Sequence, residues 1–182
     1  MEQPEVPTEH LHEHMEHHAK HSGERWTLGV ALSSALLAAL AAVASLQAGH
    51  HANEAMISQI KASDTWSYYQ SKSIKASQLK GKMDILAALE KPADEADKKK
   101  AEEYVSDLKN VQEEAKKLEE EAGHEMKTHQ VFAKSVTLFQ IAISIGAIAA
   151  LTKRRRFWYV SLVCGVAGLV FFIQAFLAAA GQ

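Results

Sequence analysis

Apolar and polar residues occupy long separate blocks along this chain. Three blocks are apolar and cover residues 26–46, 131–151 and 157–180. About 20 apolar residues in a helix cross the roughly 30 Å hydrocarbon core of a bilayer. The only charged residue in the three blocks is Lys134, which is close enough to its block's end for the ammonium to reach the headgroups. The pattern predicts three transmembrane helices.

The segment between the first two apolar blocks, residues 47–130, is rich in Glu, Lys and Ala and predicts a long helical hairpin. Its one proline, Pro92, places the turn near residues 91–94, because proline ends a preceding helix and is tolerated in the first turn of the next. In the second arm, apolar residues recur at alternating steps of four and three, which is the spacing of a coiled-coil seam. These residues are Tyr104, Leu108, Val111, Ala115, Leu118 and Ala122.

The first arm has a similar seam, made mostly of small residues, with Gln59 and Lys80 as faults. Trp66 and Tyr69 add two bulky rings that fill one layer of the hairpin or face a neighbouring copy. The predicted fold is therefore an all-α membrane protein, with three transmembrane helices and a long extramembrane antiparallel coiled-coil hairpin between the first and second. A two-helix arm buries little surface alone, so we expect a homo-oligomer or a subunit of a larger membrane complex.

Three of the four arginines lie in the short connection of residues 152–156, which predicts a tight turn between the last two helices. The positive-inside rule places Lys153, Arg154, Arg155 and Arg156 in the cytoplasm. Arg25 precedes the first helix, two crossings away, and predicts the same side for the leader of residues 1–25. The predicted location is a cell inner membrane, with residues 47–130 in the periplasm. The motif AVAS at residues 42–45 leaves a cleaved signal peptide open as an alternative, although the leader is acidic on balance.

Two stretches after the first apolar block, HHANEAM at residues 50–56 and KASDTWSYYQSKSIK at residues 61–75, follow a His-rich leader. In this order they resemble an uncharacterised bacterial membrane family known as domain of unknown function 4337. The resemblance implies an inner-membrane protein with three helices and an intervening helical region. It implies no activity, so no catalytic residue is carried over.

Histidines are the best candidates for chemistry. The leader concentrates them in HLHEHMEHHAKH, where helical spacing places five near one face: His10, His14, His17, His18 and His21. Pairs at i, i+4 chelate Zn²⁺, Ni²⁺ or Cu²⁺, but a His-rich tract is a compositional signal with low specificity. A second candidate, at the membrane end of the hairpin, combines His50, His51, Glu54 and His129. The alternative for the leader is a juxtamembrane helix whose imidazoles lie near the lipid headgroups, and the alternative for the second group is ordinary hydrogen bonding at the interface.

The chain has a formal net charge of −2 and lacks the basic face expected of a nucleic-acid-binding protein. We identify no phosphate-binding glycine loop, nucleophile motif or paired carboxylates, and we therefore expect no enzyme and no cofactor. The leading hypothesis is a structural, scaffold or accessory membrane protein. Its apolar helices contact lipid, and its hairpin contacts other copies or a larger membrane complex. A metal-binding or metal-sensing protein and an oligomeric channel remain as alternatives.

Overall fold

The computed structural model describes residues 25–180, apart from the side chain of Arg25, and all regular structure in this range is helical. Helix α1 covers Arg25–Ala88, α2 covers Glu95–Thr152 and α3 covers Arg155–Ala180. Each contains a segment long and apolar enough to cross a membrane, by length and composition. The prediction of an all-helical chain with three long apolar helices is therefore confirmed for the described residues.

The chain divides into two compact units. The three-helix unit comprises Met1–Ala52 and Met126–Gln182, of which residues 25–52 and 126–180 are described. The two-helix unit comprises Asn53–Glu125.

In the three-helix unit, the buried face of α1 follows alternating steps of three and four residues, at positions 27, 30, 34, 37, 41, 44, 48 and 51. Phe132 and Phe139 of α2 are fully buried against this face and form the largest part of the core with Ile143. Phe132 also lies edge-on to Phe172 and Phe176 of α3, with ring centres 6.2 and 5.2 Å apart. Large rings on α2 therefore fill the space that small residues leave on α1.

Close helix approach in this unit depends on glycines of α2 and α3. A Cβ atom on Gly168 would lie 2.8 Å from two ring atoms of Phe139, and one on Gly165 would lie 3.0 Å from Leu37. A Cβ atom on Gly146 would lie 3.0 Å from the Ser34 hydroxyl oxygen. A Cβ atom on Gly168 would therefore require the Phe139 ring to shift, and one on Gly165 or Gly146 would require the neighbouring side chain to give way slightly.

In the two-helix unit, α1 and α2 run antiparallel, since Trp66 contacts Glu119 whereas Lys82 contacts Asp97. The α1 face turned towards α2 again follows steps of three and four, at positions 55, 58, 62, 65, 69, 72, 76, 79, 83 and 86. Every residue at these positions is buried or half-buried. Ala55 and Ala62 of α1 are buried, as are Ala115 and Ala122 of α2. Small side chains on both helices allow a close approach of the two backbones.

The connection between α1 and α2 has defined caps at both ends. Glu90 has a left-handed backbone with φ of 55°, and Lys91 N donates to Leu86 O at 2.9 Å while Glu90 N donates to Ala87 O at 3.0 Å. This pair of hydrogen bonds is a Schellman motif, which usually contains glycine at the left-handed position. Asp94 caps α2 by accepting a hydrogen bond from Ala96 N at 3.1 Å. Pro92 lies between the two caps.

The connection between α2 and α3 is shorter than the predicted five-residue turn. Helix α2 continues to Thr152 and α3 begins at Arg155, so that only Lys153 and Arg154 lie outside helices. Lys153 adopts a left-handed backbone with φ of 54°, which reverses the chain within one residue.

Candidate functional site

The predicted leader site of His10, His14, His17, His18 and His21 lies outside the described residues. Within residues 25–180, no three side chains among His, Cys, Asp and Glu come together as a metal-binding group.

Each histidine of the second predicted group that belongs to the three-helix unit has its own packing role. His51 is buried and its ring stacks on Phe132, with ring centres 5.6 Å apart and planes 12° apart. The exposed ring of His50 lies edge-on to that of His51 at 5.3 Å. His129 donates from Nδ1 to Ala48 O at 2.8 Å, because a carbonyl oxygen can only accept. These contacts join α1 to α2 at one end of the unit.

The fourth residue of that group, Glu54, has an exposed side chain and belongs to the two-helix unit. The ring of His51 therefore packs between helices, and the hydrogen bond of His129 agrees with the ordinary hydrogen bonding that was the alternative for this group.

The predicted hairpin-interface residues of α2 lie on its inner face: Tyr104, Leu108, Val111 and Leu118 are half-buried and Ala115 is fully buried. On α1, Trp66 and Tyr69 are half-buried and pack edge to face, with ring centres 5.4 Å apart. Trp66 also donates from Nε1 to Glu119 Oε1 of α2 at 2.9 Å. The two rings therefore belong to one layer between the helices.

Charged side chains form a second layer between the two helices of the two-helix unit. Lys72 occupies one of the inner positions of α1, forms an ion pair with Asp107 of α2, and is only 19% exposed in its side chain. Its ammonium group lies 5.3 Å from the ring centre of Tyr68 and 5.6 Å from that of Tyr104, distances at which a cation is attracted by a ring face. The sequence reasoning missed this layer, because a lysine at an inner position has no apolar signature.

Three lysines of the two-helix unit have raised pKa values. Hydrogen bonds to Asp107 and, next, to Tyr68 raise the pKa of Lys72 above its ordinary value. A hydrogen bond to Asp97 raises the pKa of Lys82, and one to Glu95 raises that of Lys98. All three ammonium groups are therefore charged at neutral pH. Lys72 and Lys82 link α1 to α2, whereas Lys98 pairs with Glu95 within α2 itself.

The basic residues that predicted the topology are exposed: Lys153, Arg154, Arg155 and Arg156 all have open side chains. Arg155 also places its guanidinium 5.6 Å from the ring centre of Trp26 in α1. Trp158 stacks on Tyr159 and donates from Nε1 to Ser33 Oγ at 3.2 Å. Nothing is described for the side chain of Arg25. A cluster of cations beside aromatic rings therefore lies at one end of the three-helix unit.

Small polar side chains meet inside the three-helix unit. Ser161 of α3 donates to Ala142 O of α2 at 2.6 Å and is 1% exposed. Ser34 of α1 is equally buried, but its hydroxyl has no hydrogen-bond partner in the structure and faces Gly146. The Ser161 hydroxyl therefore links two helices. The Ser34 hydroxyl makes no hydrogen bond, and its small size is what suits the space beside Gly146.

A family model described as "Domain of unknown function (DUF4337)" matches residues 12–178. No curated protein and no solved structure shows a significant match to the chain.

Proposed function

This chain belongs to the DUF4337 family, and from that premise we propose that it is a non-enzymatic integral membrane protein with a structural or accessory role. Its three-helix unit would cross the bilayer, and its two-helix unit would be an antiparallel coiled-coil hairpin that associates with further copies or with a larger membrane complex. The observation that carries the proposal is that the three-helix unit exposes many large apolar side chains while it buries serines.

In that unit the interior holds small polar side chains beside Phe132 and Phe139, while the surface carries many large apolar side chains. Ser34, Ser135 and Ser161 are all at most 1% exposed. By contrast, Leu32 of α1, Val163 of α3 and many other large aliphatic side chains point outwards, with exposed fractions of 72% and 69% for these two. A water-soluble protein would lose free energy by exposing them, at about 25 cal/mol per Å² of apolar surface. A lipid environment removes this cost, and small interior residues are typical of packed transmembrane helices.

The two-helix unit shows the opposite surface chemistry, which suits water. The outward positions of α2 are mostly Lys and Glu, and the inward positions of both helices follow the heptad spacing of a coiled coil. Because the fully buried apolar side chains of this unit are all alanines and its larger inner side chains are only half-buried, the hairpin buries a modest apolar area. This supports the proposal that it works with a partner.

We place the basic connection of Lys153, Arg154, Arg155 and Arg156 in the cytoplasm and residues 47–130 in the periplasm of a cell inner membrane. The exposed cations and the Trp26, Trp158 and Tyr159 rings beside them support this orientation, because basic residues favour the cytoplasmic side and aromatic rings favour the membrane interface.

The test is the mass of the full chain after extraction in a mild detergent, measured by light scattering during gel filtration and corrected for bound detergent. We expect a protein mass at least twice the 20.0 kDa of one chain, or a stoichiometric co-purifying membrane protein. A single chain without any partner, extracted from the membrane by alkaline carbonate, would contradict both the membrane-crossing and the association parts of the proposal.

A further inference from the structure

Helix α1 has a second row of regularly spaced positions on the side of the two-helix unit turned away from α2. The row runs through positions 57, 60, 64, 67, 71, 74, 78, 81, 85 and 88, again in alternating steps of three and four. We call it the α1 outer stripe. All its residues are exposed except Gly81, which is half-buried. Four are isoleucines, with exposed fractions of 43–63%: Ile57, Ile60, Ile74 and Ile85.

The stripe is almost free of charge. Apart from Asp64, its other positions hold small or uncharged residues: Ser67, Ser71, Gln78, Gly81 and Ala88. The outward positions of α2 are different, since they carry charges that keep a helix solvated, among them Glu102, Glu103, Lys109, Glu113, Lys116 and Glu120. A helix face that remains in water is normally charged or polar. Ordinary solvation therefore accounts for the outer face of α2 but not for the isoleucines of α1.

We propose that the α1 outer stripe packs against the same stripe of a second copy of this chain, as a parallel helix pair in register. This inference rests on the proposed function, because two copies inserted in one membrane with the same topology present their α1 helices in the same direction and at the same depth. Heptad spacing on the free face is what such a pair requires.

Charges beside the stripe are compatible with this arrangement. One flank carries Lys61, Lys75 and Lys82, and the other carries mainly uncharged residues, including Ser63 and Gln70. In a parallel pair, the first flank of one helix faces the second flank of its partner. The lysines of one copy therefore meet uncharged side chains of the other, and no lysine is brought against a lysine. Asp64 meets its counterpart within the stripe, and repulsion between the two carboxylates costs the pair some stability.

The size of the stripe sets the expected strength of association. The stripe extends from residue 57 to residue 88, which corresponds to about 46 Å of helix. A helix is about 10 Å wide, so each copy offers a few hundred Å². This is at the lower end of specific protein interfaces. Confinement of both copies to one membrane raises their effective concentration and favours the pair.

Cysteine cross-linking of the full chain in its own membranes tests the geometry. In a Cys164→Ser background we introduce Ser67→Cys or Ser71→Cys on the stripe and, as a matched control, Ser106→Cys at an exposed position of α2. After mild oxidation we expect disulfide-linked dimers for the two stripe variants, at least about tenfold more than for the control. Equal cross-linking at Ser106, or none at either stripe position, would overturn the proposal.

Charge substitution tests the energetics and separates this inference from the proposed function. The double variant Ile74→Glu with Ile85→Glu should weaken association of the full chain by at least about tenfold, since it buries carboxylates in the pair. Val105→Glu is the matched control, because Val105 is exposed on α2 at 68%. Circular dichroism confirms the helix content of each variant.

Three results are informative. Loss of the higher mass in the stripe variant, but not in the Val105→Glu variant, supports the pair. A mass above one chain that neither variant changes overturns pairing through the α1 outer stripe and leaves the proposed function intact. A single-chain mass without a partner in the unsubstituted protein contradicts the proposed function itself.

Discussion

Lys72 of α1 and Asp107 of α2 form an ion pair at an inner position of the two-helix unit, and the ammonium lies 5.6 Å from the ring centre of Tyr104. A layer of this kind specifies which part of α1 lies beside which part of α2. The neighbouring inner positions hold Tyr69, Ala76 and Leu108, whose packing contacts are less directional than an ion pair. The charged layer therefore contributes to the specificity of helix pairing, as polar residues inside coiled coils do.

We predict that Lys72→Met lowers the thermal stability of the full chain at neutral pH, because Asp107 then loses its partner. Asp107→Asn should do the same, and the double variant should lose less than the sum of the two single losses. The measurement is the melting temperature of the four proteins by circular dichroism in one detergent. Lys75→Met, at an exposed position of α1, is the control and should leave the melting temperature unchanged. Additive losses would show that the pair does not stabilise the folded state.

The same layer predicts a dependence on alkaline pH. The pKa of Lys72 is raised in the folded chain above its ordinary value of 10.5. A raised pKa contributes stability that is fully present below the unfolded value and is lost as pH rises through the folded value. The difference in melting temperature between the unsubstituted chain and Lys72→Met should therefore be constant from neutral pH to about pH 9.5 and shrink above pH 10.5. A difference that grows with pH would contradict the assignment.

The turn between α1 and α2 offers a stabilising substitution. Glu90 pays a steric cost for its left-handed backbone, which glycine avoids. Glu90→Gly should therefore slow hydrogen exchange of the amides around the turn and stabilise the two-helix unit by about 1 kcal/mol. The matched control, Glu102→Gly at an exposed position within α2, should destabilise it by about 1 kcal/mol. Effects of the same sign in both variants would contradict the described cap.

Much of this architecture can be predicted from the sequence, because strong periodicity and long apolar blocks dominate it. The spacing of Tyr104, Leu108 and Val111 indicates the inner face of α2 without knowledge of its partner. On α1, a search for apolar residues at that spacing reaches Gln59 and Lys80, which are exposed, whereas the inner positions are those of Ser58 and Leu79. The identity of Ser58 does not indicate burial in the sequence, because its burial depends on packing against α2, which is distant along the chain.

The interior of the three-helix unit shows the same limit. Apolar residues surround each predicted span on all sides, so hydropathy cannot tell the packed face from the outward face. Burial of Ser34, Ser135 and Ser161 identifies the packed face in the structure. Their sequence signal is weak, because serine also occurs in loops and on helix surfaces.

Ser34 and Ser161, both buried in the three-helix unit, should respond differently to removal of the hydroxyl. Ser161→Ala loses the hydrogen bond to Ala142 O and should destabilise the three-helix unit by about 0.6 kcal/mol, a typical value for such bonds in membranes. Ser34→Ala removes a hydroxyl without a partner and should stabilise it by about 1 kcal/mol. Unfolding in sodium dodecyl sulfate, followed by circular dichroism, measures both. A larger loss for Ser34→Ala than for Ser161→Ala would contradict the described contacts.

Glycine substitutions test the close helix approach. Gly168→Ala should destabilise the three-helix unit by about 1–3 kcal/mol, because the new Cβ would lie 2.8 Å from the Phe139 ring and 3.3 Å from Leu138 Cβ. Gly49→Ala is the matched control within the same unit, since nothing lies within 4 Å of its Cβ position. Alanine has the higher helix propensity, so this variant should gain up to about 1 kcal/mol. Similar effects of the two substitutions would contradict the packing of α3 against α2.

Orientation in the membrane can be tested by cysteine labelling of full chains that lack the native thiol through Cys164→Ser. Lys100 is exposed on α2 in the two-helix unit, and Thr152 is exposed at the end of α2 beside the basic connection. With residues 47–130 in the periplasm, a membrane-impermeant maleimide should label Lys100→Cys in intact spheroplasts. It should label Thr152→Cys only after lysis, because one membrane crossing separates the two positions. Labelling of both in intact spheroplasts would show that α2 does not cross the membrane, and the reverse pattern would show the opposite orientation.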